Sequence, residues 1–309
     1  MTIEQAMQKV ENIMFEVVNS DVKTLCEASR HILEAGGKRI RPRLLLLTYG
    51  ALGGRDFEYV APVAAAIELV HTASVVHDDI NDHGVVRRGR PSVNAIWGRT
   101  FALLTGDFLF TKVYELMAPY KDLNIDLAEA TVALVEGETL QAVAVKEKDF
   151  TRQAYIQIIS RKTAALFRAS TSMAAKLAKA QPGIVESLGT FGYNIGLAFQ
   201  IIDDVLDLTA TTEQLGKTSG IDLTQGRGYA TAYAGNGQSN GSPHVTDLII
   251  DDPLQMVKQK ILADGAVSEA RIQAQQLMQL ATETINALPD SDYKTMLVEA
   301  ARDIVYRDR

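Results

Sequence analysis

Two long apolar runs in this 309-residue chain each end in a packet of aspartates, and that pairing constrains the fold more than any other feature. The first run, residues 58–82, is rich in Ala, Val, Ile and Leu and closes on His77-Asp78-Asp79-Ile80-Asn81-Asp82. The second, 184–211, closes on Ile202-Asp203-Asp204-Val205-Leu206-Asp207. Helices that are apolar on most faces belong in an interior. Three carboxylates in so short a length repel one another unless cations sit among them. Acids at the carboxyl end of a helix also oppose its dipole. Local costs of this kind mark functional sites.

Apolar residues recur at three- and four-residue spacings over 2–19, 21–35, 42–53, 58–82, 99–118, 123–146, 150–180 and 184–211, and again over 253–263 and 266–308. Strand signals are nearly absent. The pattern predicts an all-α fold, a single large bundle of about ten or more helices over residues 1–309, buried at the centre and amphipathic outside. Pro42 suits a first helical position, and Gly36-Gly37 suits the end of the preceding helix. From Gly216 to Pro253 seven glycines break the periodicity. A glycine-rich loop or lid over 216–253 is expected there, with an interdomain linker as the alternative.

With 47% hydrophobic residues the chain can bury a substantial core. A net charge of −7 disfavours nucleic acid as a partner. The single cysteine, Cys26, cannot form an internal disulfide, which suits a reducing cytosol. The first residues lack the basic start and apolar block of a secretory signal. Leu44 to Leu47 is too short to span a bilayer, and Ala61 to Val76 contains Glu68 and His71. No transmembrane segment and a cytoplasmic location are therefore expected.

On a helix, Asp78 and Asp82 share one face, as do Asp203 and Asp207. A single such motif is most often a solvated helix end, but two copies, each closing a core-like helix, argue for a site. Oxygen-only ligands suit Mg²⁺, which binds through a few carboxylates and completes its shell with substrate phosphates. The spacing is wrong for a calcium loop. His71, His77 and His83 are each turned by about 240° from the last, so they build no zinc site. Two basic groups answer the acids. Lys38, Arg39 and Arg41 precede a helix amino terminus, an anion-binding arrangement. Arg87, Arg88 and Arg90 follow the first acidic cluster in a turn, and arginine's planar fork suits phosphate oxygens. Together they suggest two diphosphates, one held through Mg²⁺ and one directly.

These motifs resemble those of trans-isoprenyl diphosphate synthases, the polyprenyl synthase family. The resemblance rests on GGKRIRP (36–42), HTASVVHDDINDHGVVRRG (71–89), LTGDFLF (104–110), GETLQ (137–141), RKTAALF (161–167), and GLAFQIIDDVLD with LGK (196–207 and 215–217), in order from about residue 30 to 225. It implies a deep central apolar cavity with the two aspartate motifs facing each other across its mouth, three Mg²⁺ ions and a homodimer. By position, Asp78, Asp82 and Asp203 hold Mg²⁺ on the allylic diphosphate, with Asp79 and Asp207 supporting that metal cluster. Arg87, Lys162 and Lys217 match contacts to the allylic diphosphate, and Lys38, Arg41, His71 and Arg88 match those to isopentenyl diphosphate. Thr163 and Gln200 fall beside the reacting carbons. Arg227 stands where the family usually has lysine, and the Thr-Leu-Pro that ordinarily follows is missing.

The implied reaction condenses isopentenyl diphosphate with an allylic diphosphate and passes a polyprenyl diphosphate to membrane enzymes. A class I terpene cyclase ordinarily replaces the second aspartate motif, and a non-catalytic partner subunit of a heteromeric synthase often loses one. Both motifs are intact here. In the family, cavity depth depends on the fourth and fifth residues before the first aspartate, which are Ser74 and Ala73. With Val70 and Ala66 one turn earlier also modest in size, the expected product is C20 at least, unless Phe108 or Phe110 closes the cavity from another helix.

Overall fold

The computed structural model describes residues 1–209, 227–235 and 265–307. Its helices are α1 (Ile3–Val17), α2 (Lys23–Glu34), α3 (Ile40–Ala51), α4 (Phe57–Asn81), α5 (Val93–Met117), α6 (Leu123–Glu147), α7 (Arg152–Ile159), α8 (Ala165–Leu177), α9 (Pro182–Thr209), α10 (Gly228–Gly235), α11 (Ala266–Thr284) and α12 (Asp292–Val305). A π-turn, Ser160–Ala164, joins α7 to α8. The all-α expectation holds. Among the described residues the exception is a two-stranded hairpin, β1 (Val86–Arg87) against β2 (Arg90–Pro91). Arg88 and Gly89 at its tip both have positive φ, 52° and 74°, as a tight two-residue turn requires.

Local chemistry explains most boundaries. Thr2 caps α1 in a reciprocal box with Gln5, and the side chains of Asp56, Ser92, Thr151 and Ser291 cap α4, α5, α7 and α12. Gly36, with φ 73°, follows α2 as expected. α3 begins at Ile40 rather than Pro42, which sits in the first turn where a missing N–H costs nothing. The segment expected at 99–118 starts at Val93 and kinks at Gly98 (φ 78°). The 266–308 stretch is two helices parted near Pro289. The helix expected at 253–263 lies outside the described residues, as does the 216–253 loop apart from 227–235, where the structure has α10 instead of loop.

The two apolar runs become the two central helices. α4 packs against α1, α2, α3, α5 and α8, and α9 against α8, the π-turn, α10, α11 and α12. α4 is long and apolar enough to cross a membrane, but 72% of its most apolar window is buried within the bundle. The core runs continuously from Leu44–Leu47 through Ala64, Ile67 and Leu69 to Phe167, Phe191 and Ile201. Each large side chain enclosed in this way contributes about 1.5–3 kcal/mol. Both acidic ends border one cavity.

Candidate active site

A cavity of about 830 Å³ is bordered by Asp78 and Asp82 of α4, Asp203 and Asp204 of α9, and Lys38, Arg41, Arg87, Arg88, Lys162, Arg227 and Arg307. Val75, Leu134, Ile159 and Phe199 supply apolar wall. The carboxylates and cations that the sequence sets far apart thus meet around one space.

At the end of α4, each aspartate has a cation. The hairpin turns Arg87 back so that its Nε donates to Asp79 Oδ1 at 2.9 Å. Asp79 is 2% exposed, and burial outweighs Arg87 to hold its carboxyl above the usual range. Asp78 is pushed up to about 6 by burial, against the pull of Lys162 and with repulsion from Glu138 and Asp82. Arg227 donates to Asp82.

Lys162 sits on the π-turn, ion-paired with Glu138 and 3.8 Å from Asp78 Oδ2. Burial disfavours its charge, but Asp78 and Glu138 together hold the ammonium above its ordinary value. The register is set by Gly137, where a Cβ would lie 2.3 Å from Lys162 N. Only glycine lets α6 approach so closely, which delivers Glu138 and Gln141 to Lys162. Gln141 lies between two cations, its amide oxygen 3.3 Å from Lys162 Nζ and, with the amide turned over, 3.2 Å from Arg227 Nε and Nη1.

At the end of α9 the partners are different. Thr163 Oγ1 donates to Gln200 Oε1 (2.7 Å), and Gln200 Nε2 donates to Asp204 Oδ1 (2.8 Å). Asp204 Oδ2 accepts from the Tyr155 hydroxyl (2.7 Å) and the Tyr229 backbone N–H (3.0 Å), which ties α10 to the site. Asp203 Oδ1 accepts from Arg307 Nη2 at 3.0 Å.

Across the cavity, Arg41 stacks over Phe167, its guanidinium 4.6 Å from the ring centre, and burial pulls it down to about 10. His71 is pushed well below its ordinary value by burial and by Arg41 and Arg88, so its ring is neutral at physiological pH. Arg41 Nε and Arg88 Nη1 are enclosed without a hydrogen-bond partner. Both residues border the cavity, and cationic side chains on a cavity wall fit an anionic ligand.

Residues 22–260 match the Polyprenyl synthetase family. The chain belongs to that family. It is 35% identical to the all-trans-nonaprenyl-diphosphate synthase (geranyl-diphosphate specific) of Rhodobacter capsulatus, over 97% of this chain and 94% of the relative. It is 34% identical to the octaprenyl diphosphate synthase of Escherichia coli K12, over 99% and 97%. A polyprenyl synthase from Caulobacter crescentus, solved with calcium and isoprenyl diphosphate, superposes with a TM-score of 0.93 at 30% identity, covering 99% of this chain and 96% of that one. The chain is therefore a prenyltransferase of the polyprenyl diphosphate synthase type.

Within this polyprenyl synthetase, several expected site residues are placed differently. Asp79 does not border the cavity, because one residue of helix turns it about 100° from Asp78 and into the grip of Arg87. Asp207, one turn beyond Asp203, is 1% exposed and also off the cavity wall, whereas Asp204 is on it. Asp79 and Asp207 thus stand behind the cavity wall, each next to an aspartate or leucine that borders it. Ser74 borders the cavity, but Val70 and Ala73 are fully enclosed and do not, and neither Phe108 nor Phe110 reaches its wall. Lys217 lies outside the described residues. Sequence reasoning missed roles for Glu138, Gln141, Tyr155, Asp204 and Arg307. The GETLQ motif pointed at the first two, while nothing local marks Arg307.

Proposed function

We propose that the enzyme condenses isopentenyl diphosphate with an allylic diphosphate in this cavity, using Mg²⁺, to make a trans-polyprenyl diphosphate of C20 or longer. The observation that carries this is that two carboxylate pairs and two sets of cations border the same cavity. The names of the nonaprenyl and octaprenyl relatives support the longer products.

Among the described residues no three His, Cys, Asp or Glu side chains converge closely enough to hold an ion unaided. The cavity-facing Asp78, Asp82 and Asp203 fit a hard cation that completes its shell with phosphate oxygens, while Asp204, held by Gln200, Tyr155 and Tyr229, braces the second cluster. Three ions are proposed, as the family resemblance implies. When bound, Mg²⁺ supplies positive charge against the departing diphosphate.

The chain's own residues do the rest. Lys162 and Arg227 lie beside Asp78 and Asp82, where they meet the allylic diphosphate and stabilise charge as its C–O bond breaks. Lys38, Arg41, His71 and Arg88 hold isopentenyl diphosphate so that its double bond lies about 3–3.5 Å from the allylic carbon. Thr163 and Gln200, bonded to each other, sit beside the reacting carbons. Val75, Leu134 and Ile159 keep water from the cation. The proton leaves with the released diphosphate.

Exposed apolar side chains on α5 (Ile96, Phe101, Leu104, Tyr114) and α6 (Ile125, Val132) support a homodimer joined through these helices. We place the enzyme in the cytoplasm, handing its lipid product to membrane enzymes. The test is incubation with labelled isopentenyl diphosphate and allylic primers of several lengths, with products sized chromatographically. Incorporation that depends on Mg²⁺ and ends at C20 or longer is expected. Incorporation unaffected by EDTA refutes the metal reading, and a mainly C15 product refutes the length.

A further inference from the structure

Of the three cations in Lys38-Arg39-Ile40-Arg41, Lys38 and Arg41 have been read as ligands of isopentenyl diphosphate, and Arg39 has had no role. The structure turns Arg39 inward. Its backbone is left-handed (φ 46°) at the N-cap of α3, and its side chain is 5% exposed. Nη1 donates to Glu68 Oε1 at 3.1 Å and Nη2 to the Leu33 carbonyl at 3.1 Å. Glu68, midway along α4, is itself 2% exposed, and its second oxygen has no hydrogen-bond partner. Yet Glu68 borders the cavity alongside Lys38, Arg41, His71 and Arg88. A carboxylate in the wall of a diphosphate site carries the wrong charge for its ligand, so its presence there needs another reason.

We propose that Glu68 is a positioning residue. By holding Arg39 it maintains the left-handed turn that directs Lys38 and Arg41 to the cavity, and it keeps Arg39, Arg41 and Arg88 assembled before isopentenyl diphosphate arrives. This rests on the reading of those cations as the isopentenyl diphosphate site. A non-glycine residue in the left-handed region persists only where its surroundings impose it. A buried guanidinium is costly without an anion beside it. Of the two carboxylates near Arg39, Glu68 is the closer and the buried one, at 3.1 Å against 3.7 Å for the half-exposed Glu11. Burial lowers the pKa of Arg41 and of Arg88, and the charge of Glu68 opposes that fall in both. The turn is also tied to the hairpin: a Cβ on Gly37 would meet the Arg88 guanidinium at 2.8 Å, so Arg88 lies directly over the Gly37 backbone. Displacing Arg39 therefore displaces Lys38, Arg41 and the seat of Arg88 together, while Lys162 and Arg227 stand on other elements.

The test is steady-state kinetics of full-length Glu68→Gln with each substrate varied in turn. The KM for isopentenyl diphosphate is expected to rise roughly tenfold or more, with the allylic KM changed less than about twofold. The double variant Glu68→Gln with Arg39→Met is expected to be no worse than Glu68→Gln alone, because both act through one pair. Glu68→Asp, which keeps the charge, is expected to recover part of the loss and serves where Glu68→Gln fails to fold. An unchanged or lower isopentenyl KM, an equal rise in both KM values, or additive losses in the double variant overturns the proposal. Lys38→Ala and Arg41→Ala are measured alongside. If they raise the isopentenyl KM and Glu68→Gln does not, only the positioning role fails; if they leave it unchanged, the site reading fails with it.

Discussion

The two aspartate clusters share a spacing and a place at the end of a core helix, yet their surroundings neutralise them by different means. At the end of α4 the partners are cations: Arg87 on Asp79, Lys162 near Asp78 and Arg227 on Asp82. At the end of α9, Asp204 is held by neutral donors, the Tyr155 hydroxyl, the Gln200 amide and the Tyr229 backbone N–H, and Asp203 by Arg307. The cause lies in what each helix end meets. α4 is followed at once by the arginine-bearing hairpin and faces the π-turn lysine, whereas α9 ends against α7 and α10. A repeated motif thus specifies a ligand chemistry without specifying the electrostatics around it. An anion ringed by cations is costly to strip of a partner, while one held by neutral groups loses single hydrogen bonds.

The largest expected effect tests whether the clusters are equivalent in chemistry despite this difference. Asp78→Ala and Asp203→Ala should each lower kcat by roughly a thousandfold or more, since positioned metal charge contributes several kcal/mol. Incorporation of labelled isopentenyl diphosphate measures it. Near-normal turnover in one variant alone would make the clusters unequal.

Stability separates them next. Arg87→Ala leaves Asp79 buried without its cation and should cost about 3 kcal/mol in urea unfolding, the lower end for a broken buried pair because Arg87 keeps some solvent contact. Tyr155→Phe removes one neutral donor from Asp204 and should cost about 1.5 kcal/mol. Equal losses would mean that the two clusters depend equally on their partners.

A pH effect belongs to the first cluster. With Asp78 raised to about 6 from an ordinary 3.8, the metal-free fold takes up a proton that the unfolded chain releases across that window. Asp78 should therefore make the metal-free protein more stable as pH falls from 6 towards 4, and weaken Mg²⁺ binding over the same range. Calorimetric titration of Mg²⁺ with pyrophosphate at several pH values measures the second effect. The pH dependence should be weaker in Asp78→Asn than in the wild type, pyrophosphate protonation being common to both proteins.

The smallest effect concerns Arg227, paired with Asp82 where the family usually has lysine. Arg227→Ala should raise the allylic KM several-fold, and Arg227→Lys less, because lysine keeps the charge but not the planar fork. Identical, unaltered kinetics for both would show that this arginine serves only the resting electrostatics of the first cluster.

Much of the fold was legible from order along the chain. Helical periodicity marked α4 and α9 as interior helices, because a helix apolar on most faces has nowhere else to go, and the i,i+4 rule put Asp78 and Asp82 on one face of α4. The same local reasoning failed at helix ends governed by nonlocal packing. It missed the π-turn at Ser160–Ala164, began α5 six residues late, and did not show that Asp204 borders the cavity while Asp207 lies behind it. It also expected Val70 and Ala73 to line the cavity, where the structure encloses them.

By itself, the sequence determined which side chains are chemically able to bind metal and diphosphate, and which helices must be buried, since both follow from residue type and spacing within a few turns. Only the tertiary structure decided which of those groups face one another. Arg307 on Asp203 and Arg227 on Asp82 join residues more than a hundred positions apart. Glu138 reaches Lys162 because Gly137 lets two backbones nearly touch. Such pairings depend on how whole helices stack, and no periodicity within a single helix encodes which neighbour its polar face will meet.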